Sequence, residues 1–109
     1  MDFFPIFLNI RDRNCLVVGG GEIAARKVAL LLKANALVTV ISPTLDEALE
    51  ALLSQSQINY IRDIFHPKYL TNCALIISAT NNRQVNQLVW EEATKANIPV
   101  NVVDDLSLC

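Results

Sequence analysis

Three successive glycines, Gly19-Gly20-Gly21, are followed by Glu22, Ile23 and Ala24 and fit the spacing G-x-G-x-x-A of a loop that receives a pyrophosphate. Each position of that pattern has a physical task. Gly19 permits the tight turn out of a strand, Gly21 lets the backbone approach the phosphates without a Cβ in the way, and Ala24 keeps the following helix close to a sheet. The phosphates would then lie at the positive end of the helix dipole, facing the free N–H groups of its first turn. Roughly 20 residues further on, a site built for NAD usually offers Asp or Glu to the adenosine ribose. This chain has Ser42-Pro43-Thr44 there. Serine can hydrogen-bond a ribose oxygen, and Pro43 and Thr44 can wall an adenosine. No carboxylate stands there to repel a 2′-phosphate, and no arginine to welcome one, so the motif by itself leaves NAD and NADP open.

Two further segments carry polar groups at the ends of apolar runs: Ala79-Thr80-Asn81 and Asn101-Val102-Val103-Asp104. Thr80 and Asn81 suit a helix cap and a cofactor contact equally, because one loop can serve both. Asp104 offers a carboxylate able to take a proton as a hydride leaves, against the commoner use of aspartate in capping a turn. His66 is the only histidine and has no partner suggesting a metal site, so it reads as a surface residue. Cys15, Cys73 and Cys109 form no C-x-x-C pair, which points to neither zinc nor a disulfide framework and suits a reducing cytoplasm. Cys15 reads as a small core side chain. Arg26 and Lys27 read as a solvated helix face.

These groups need a scaffold that brings strand ends together. Asn14–Val18 reads as a buried strand running into the glycines, and Glu22–Lys33 as a helix with Ala24, Val28, Leu31 and Leu32 on one face. Leu37–Ile41 is a second strand, stopped by Pro43, and Leu45–Ser54 a second helix. Ile58–Ile61 is a shorter strand, with one helical turn in the polar connection over Asp63–Tyr69. Leu75–Ser78 is a fourth strand. Asn81 or Asn82 caps a third helix whose stripe is Val85, Leu88, Val89, Ala93 and Ala96, and Pro99–Val103 closes the pattern. Buried strands alternating with amphipathic helices predict an α/β, Rossmann-type doubly wound parallel sheet of about five strands, order 3-2-1-4-5, in three α/β/α layers.

Length and composition agree with that architecture. The 109 residues suit one domain, and 52% hydrophobic with 18% charged residues is the balance of a packed protein. A net charge of −2 with both signs scattered argues against nucleic acid. The apolar start, Phe3 to Phe7, is broken by Pro5 and ends at Arg11-Asp12-Arg13, too short for a membrane span and unlike a secretory leader.

As a set the residues resemble the precorrin-2 dehydrogenase and sirohydrochlorin ferrochelatase family, whose module is the front end of sirohaem synthase. The resemblance rests on Pro5-Ile6-Phe7, Arg11-Asp12-Arg13, Val17-Val18-Gly19-Gly20-Gly21, Arg26-Lys27, Ala79-Thr80-Asn81 and Asn101-Val102-Val103-Asp104. It implies an NAD-dependent oxidation of precorrin-2 to sirohydrochlorin and, in many members, a lyase step that inserts Fe²⁺ as a second substrate. It implies cofactor contacts at Gly19, Gly21, Glu22 and Ile23, at Ser42, Pro43 and Thr44, and at Thr80, with Asp104 as general base and no resident metal. Family members continue past this aspartate into a dimerisation segment and a helical domain, so the expectation is a truncated domain that binds NAD and turns over little alone. A nucleotide-sensing regulatory domain without catalysis is the alternative of a different class; a scaffold with a vestigial loop ranks below both.

Overall fold

The computed structural model describes residues 6–103. Five strands, β1 (Asn14–Val18), β2 (Leu37–Ile41), β3 (Asn59–Ile61), β4 (Leu75–Ser78) and β5 (Val100–Val102), form one sheet in the order β3-β2-β1-β4-β5. Every pairing is parallel. The expected order and direction are therefore those observed, and the shift of one residue at β3 and at each end of β5 is the ordinary uncertainty of strand ends.

The sheet is parallel because each connection returns over one of its faces, and the side chains alternate accordingly. Along β1, Cys15 and Val17 join one core with Val38 and Val40 of β2, against Ala24, Val28 and Leu31 of α1 (Glu22–Lys33) and Leu49 of α2 (Glu47–Ser54). Leu16 and Val18 join the opposite core with Ile41, Ile76 and Phe65, against Val89 and Ala93 of α3 (Arg83–Lys95). A period of two along a strand covered on both faces produces this split. Burial pushes the Cys15 thiol up to about 11, with Cys73 the second cause, so the residue packs as a hydrophobe.

Local chemistry sets the helix limits. Asp46 accepts from the Leu49 N–H at 3.0 Å, so α2 starts at Glu47 and Leu45 lies outside the helix. Of the two candidate asparagines, Asn82 caps α3, accepting from the Val85 N–H at 3.0 Å. The expected stripe on α3 needs correction. Leu88 and Ala96 are exposed, and the sheet-facing row is Asn86, Val89 and Ala93, at i, i+3 and i+7. Ala96 is past the helix as its C-cap, and Leu88 is turned off the row by its spacing. The helical turn foreseen after β3 is a 3₁₀ turn at Pro67–Leu70, with Pro67 at its first position. No helix among the described residues is long and apolar enough to cross a membrane.

Candidate dinucleotide site

The chain builds β1, β2 and β3 outward on one side of the sheet, then crosses back to lay β4 and β5 on the other. The carboxyl ends of β1 and β4 therefore diverge, and a crevice opens between the connections that leave them. It is a cleft of about 550 Å³, within the range that holds small ligands. Gly19–Ile23 line it after β1, Ser42 and Pro43 after β2, Asp63–Phe65 after β3, and Ala79–Asn82 after β4.

The glycine loop is fixed by contacts the sequence does not display. Gly19 has φ +130°, and a Cβ there would lie 2.4 Å from the Ala79 carbonyl oxygen. A Cβ on Gly20 would lie 1.9 Å from the Thr44 carbonyl oxygen and 2.7 Å from the Ser42 Oγ. Gly20, the unspecified position of the motif, is thus the most sterically restricted of the three. Its own carbonyl accepts from the Asp46 N–H at 2.8 Å, while the Gly19 N–H donates to the Ile41 carbonyl at 2.9 Å. The loop is tied to the connection after β2 before any ligand arrives. A Cβ on Gly21 would meet nothing within 4 Å, because that position faces the cleft.

Gly21 is also the N-cap of α1 and makes no side-chain cap, whereas Asp46 and Asn82 cap α2 and α3. The first-turn N–H groups of α1 thus keep the capacity to bind an anion, which fits a pyrophosphate. Glu22 is exposed and paired with Arg26 at 2.9 Å, so Arg26 lies on the solvated face expected of it.

At the end of β2, Ser42 is buried and its Oγ accepts from the Thr44 N–H at 3.4 Å. Accepting that bond leaves the hydroxyl proton available to a ribose oxygen. Thr44 does not line the main cleft: its carbonyl backs Gly20 and its side of the loop borders an adjoining recess of about 320 Å³. Pro43 borders both. The structure also brings an arginine here. Arg62, just after β3, donates from Nε to the Pro43 carbonyl at 3.3 Å and lines the adjoining recess.

Thr80 lines the cleft, but the cap of α3 is Asn82. The Thr80 Oγ1 accepts from the Asn82 N–H at 3.1 Å. Behind it lies Asn86, which the sequence reading missed. The Asn86 Oδ1 accepts from the Ser78 and Thr80 hydroxyls, each at 2.7 Å, and its Nδ2 donates to the Thr80 carbonyl at 3.1 Å. A polar side chain recurring on an apolar row was the available signal. Asn86→Ala is expected to destabilise the fold by about 2 kcal/mol or more, because Ser78 is fully buried and loses its acceptor. Urea unfolding measures this, and an unchanged midpoint would show that the network is dispensable.

Asp63, Ile64 and Phe65 form a wall that the sequence did not announce. Tyr69 donates its hydroxyl to the Asp63 carboxylate, and the Ile64 N–H donates at 2.7 Å. The Tyr69 bond, then the Ile64 bond, hold the Asp63 carboxyl below its ordinary range. His66 is half-buried, with Nε2 3.8 Å from the same carboxylate. Among the described residues no three His, Cys, Asp or Glu side chains are grouped to hold a metal. Val102 aligns with Ser78, and the Val103 N–H donates to the Ser78 carbonyl at 3.0 Å. Asp104 lies outside the described residues.

A protein-family model described as "Putative NAD(P)-binding" matches residues 6–109. This chain belongs to that NAD(P)-binding family. It is 54% identical over 110 residues to a siroheme synthase of Nitrosomonas europaea and 51% identical over 109 residues to one of Methylobacillus flagellatus. Both matches take in 100% of this chain and 23% of the relative. The chain thus spans about a quarter of the length of the curated relatives it matches. Among solved structures, the precorrin-2 dehydrogenase SirC superposes with a TM-score of 0.84 at 29% identity, over 95% of this chain and 51% of that one. The apo D-lactate dehydrogenase of Escherichia coli superposes with a TM-score of 0.68 at 15% identity, over 93% of this chain and 31% of that one, which shows a shared fold alone.

Proposed function

We propose that this chain is the NAD-binding domain of a precorrin-2 dehydrogenase, serving the oxidation of precorrin-2 to sirohydrochlorin within a siroheme synthase. The observation that carries the reading is the match of the whole chain to siroheme synthases, in a domain whose uncapped α1 opens onto a glycine-lined cleft. When bound, NAD⁺ supplies the hydride acceptor. Gly19, Gly21 and the first turn of α1, with Glu22 and Ile23, hold the pyrophosphate; Ser42, Pro43 and Thr44 serve the adenosine side. Thr80, anchored by Asn86, borders the other half. Asp104 takes the proton that leaves the substrate as the hydride departs.

The tetrapyrrole carries many carboxylates, and Arg26 is already paired with Glu22, so substrate binding draws on residues beyond this domain. Iron insertion, where it occurs, does so as well. We place the protein in the cytoplasm as part of a homodimer, as the family resemblance implies, and expect the isolated chain to bind NAD with little turnover. The relatives are a synthase and a dehydrogenase by name, which supports catalysis over the sensing alternative. Calorimetric titration of this chain tests the reading. NAD⁺ is expected to bind at least about tenfold tighter than ATP, a difference of about 1.4 kcal/mol. Absence of NAD⁺ binding at millimolar concentration, or a clear preference for ATP, would sink it.

A further inference from the structure

The Thr80 hydroxyl has a fixed polarity. Two oxygens lie within its donor reach, Asn86 Oδ1 at 2.7 Å and the Asn82 carbonyl at 3.1 Å, and both only accept, so its single proton is committed to the protein. The Asn86 amide cannot be reversed to change this. Its Nδ2 donates to the Thr80 carbonyl at 3.1 Å, and exchanging amide oxygen and nitrogen would set two acceptors against each other there. The hydroxyl of the fully buried Ser78 donates to the same Oδ1 at 2.7 Å and holds the amide the same way round. Thr80 Oγ1 also accepts from the Asn82 N–H at 3.1 Å. A hydroxyl has one proton and two lone pairs, so a single lone pair is left for a ligand.

Thr80 is half-buried and lines the cleft just past β4. With the pyrophosphate on the glycine loop after β1 and the adenosine at the end of β2, the β4 side of the crevice receives the nicotinamide half. Resting on the dinucleotide reading above, we infer that Thr80 Oγ1 accepts an N–H of the nicotinamide carboxamide and so orients the ring that receives the hydride. The amide nitrogen is a donor and matches the remaining lone pair; the amide oxygen does not, so the contact tells one end of the carboxamide from the other. Asn81 is exposed on the same edge of the cleft, but its own amide offers both polarities and does not select between those ends.

Calorimetric titration of this chain and of its Thr80→Val and Thr80→Ser variants tests the contact. The ligands are NAD⁺, its acetylpyridine analogue, in which a methyl group replaces the amide nitrogen, and ADP-ribose, which lacks the ring. In the parent, NAD⁺ is expected to bind about fivefold or more tighter than the analogue. Thr80→Val keeps the shape of the side chain and loses the lone pairs, so that preference is expected to fall below about twofold, with ADP-ribose affinity changed by less than about twofold. Thr80→Ser retains the hydroxyl and is expected to retain the preference. Should the valine variant fail to fold, Thr80→Ala replaces it in the same comparison. Equal binding of NAD⁺ and the analogue by the parent, or a preference that survives Thr80→Val, overturns the inference and leaves the dinucleotide reading standing. Equal weakening of NAD⁺ and ADP-ribose by Thr80→Val assigns the contact to a ribose hydroxyl and also overturns it. Failure of the parent to bind NAD⁺ removes both readings.

Discussion

Gly20→Val is expected to cost about 3 kcal/mol or more of folding stability and to abolish dinucleotide binding. The Cβ would be placed 1.9 Å from a backbone oxygen, that of Thr44, which has no rotamer through which to escape. Moving that carbonyl means moving the connection after β2, where the Asp46 N–H holds Gly20 in turn. The contrasting variant is Gly21→Ala. Its added methyl points into the open cleft, and the exchange at an N-cap costs under about 1 kcal/mol. It is nevertheless expected to weaken NAD⁺ by about tenfold or more, since the methyl occupies the approach of the pyrophosphate. Urea unfolding and calorimetry on the two variants separate a glycine required by packing from one required by the ligand. Equal stability of the two proteins, or unimpaired NAD⁺ binding by Gly21→Ala, would reject this division.

The second large effect concerns the rate. In a protein of siroheme-synthase length, Asp104→Asn is expected to lower kcat for precorrin-2 oxidation by about 100-fold or more, with NAD⁺ affinity changed less than about twofold. Amide replaces carboxylate at nearly constant shape, so the variant removes a proton acceptor and little else. The argument for the position is topological. β5 runs parallel to β4, and the Val103 N–H closes on Ser78, so the chain is delivered to the carboxyl edge of the sheet just before Asp104. Unchanged turnover would assign the proton to another group. Joint loss of turnover and NAD⁺ binding would make Asp104 part of the cofactor site.

The sequence by itself determined the layer plan and the binding loop. Apolar runs of strand length alternating with helical periodicity leave few packings other than a parallel sheet covered on both faces, and the observed order β3-β2-β1-β4-β5 is the one that pattern predicts. The strand–glycine–helix order around Gly19–Ala24 was legible because a turn and a helix start are set by neighbours in the chain. Ser42 and Thr80 were legible as residues at strand ends.

What only the tertiary structure decided is which distant backbones meet. The constraint on Gly20 comes from Thr44, that on Gly19 from Ala79, and the guanidinium beside Pro43 from Arg62, just after β3. Thr44 passes behind the loop for the same reason, which a count along the chain does not reveal. Asn86 lay off the expected apolar stripe of α3, and its role shows only where the Ser78 and Thr80 hydroxyls converge on it. Periodicity records which face a residue occupies. It carries no information about which carbonyl or hydroxyl waits across the gap, because that depends on the register between strands and the turn geometry that folding alone brings together.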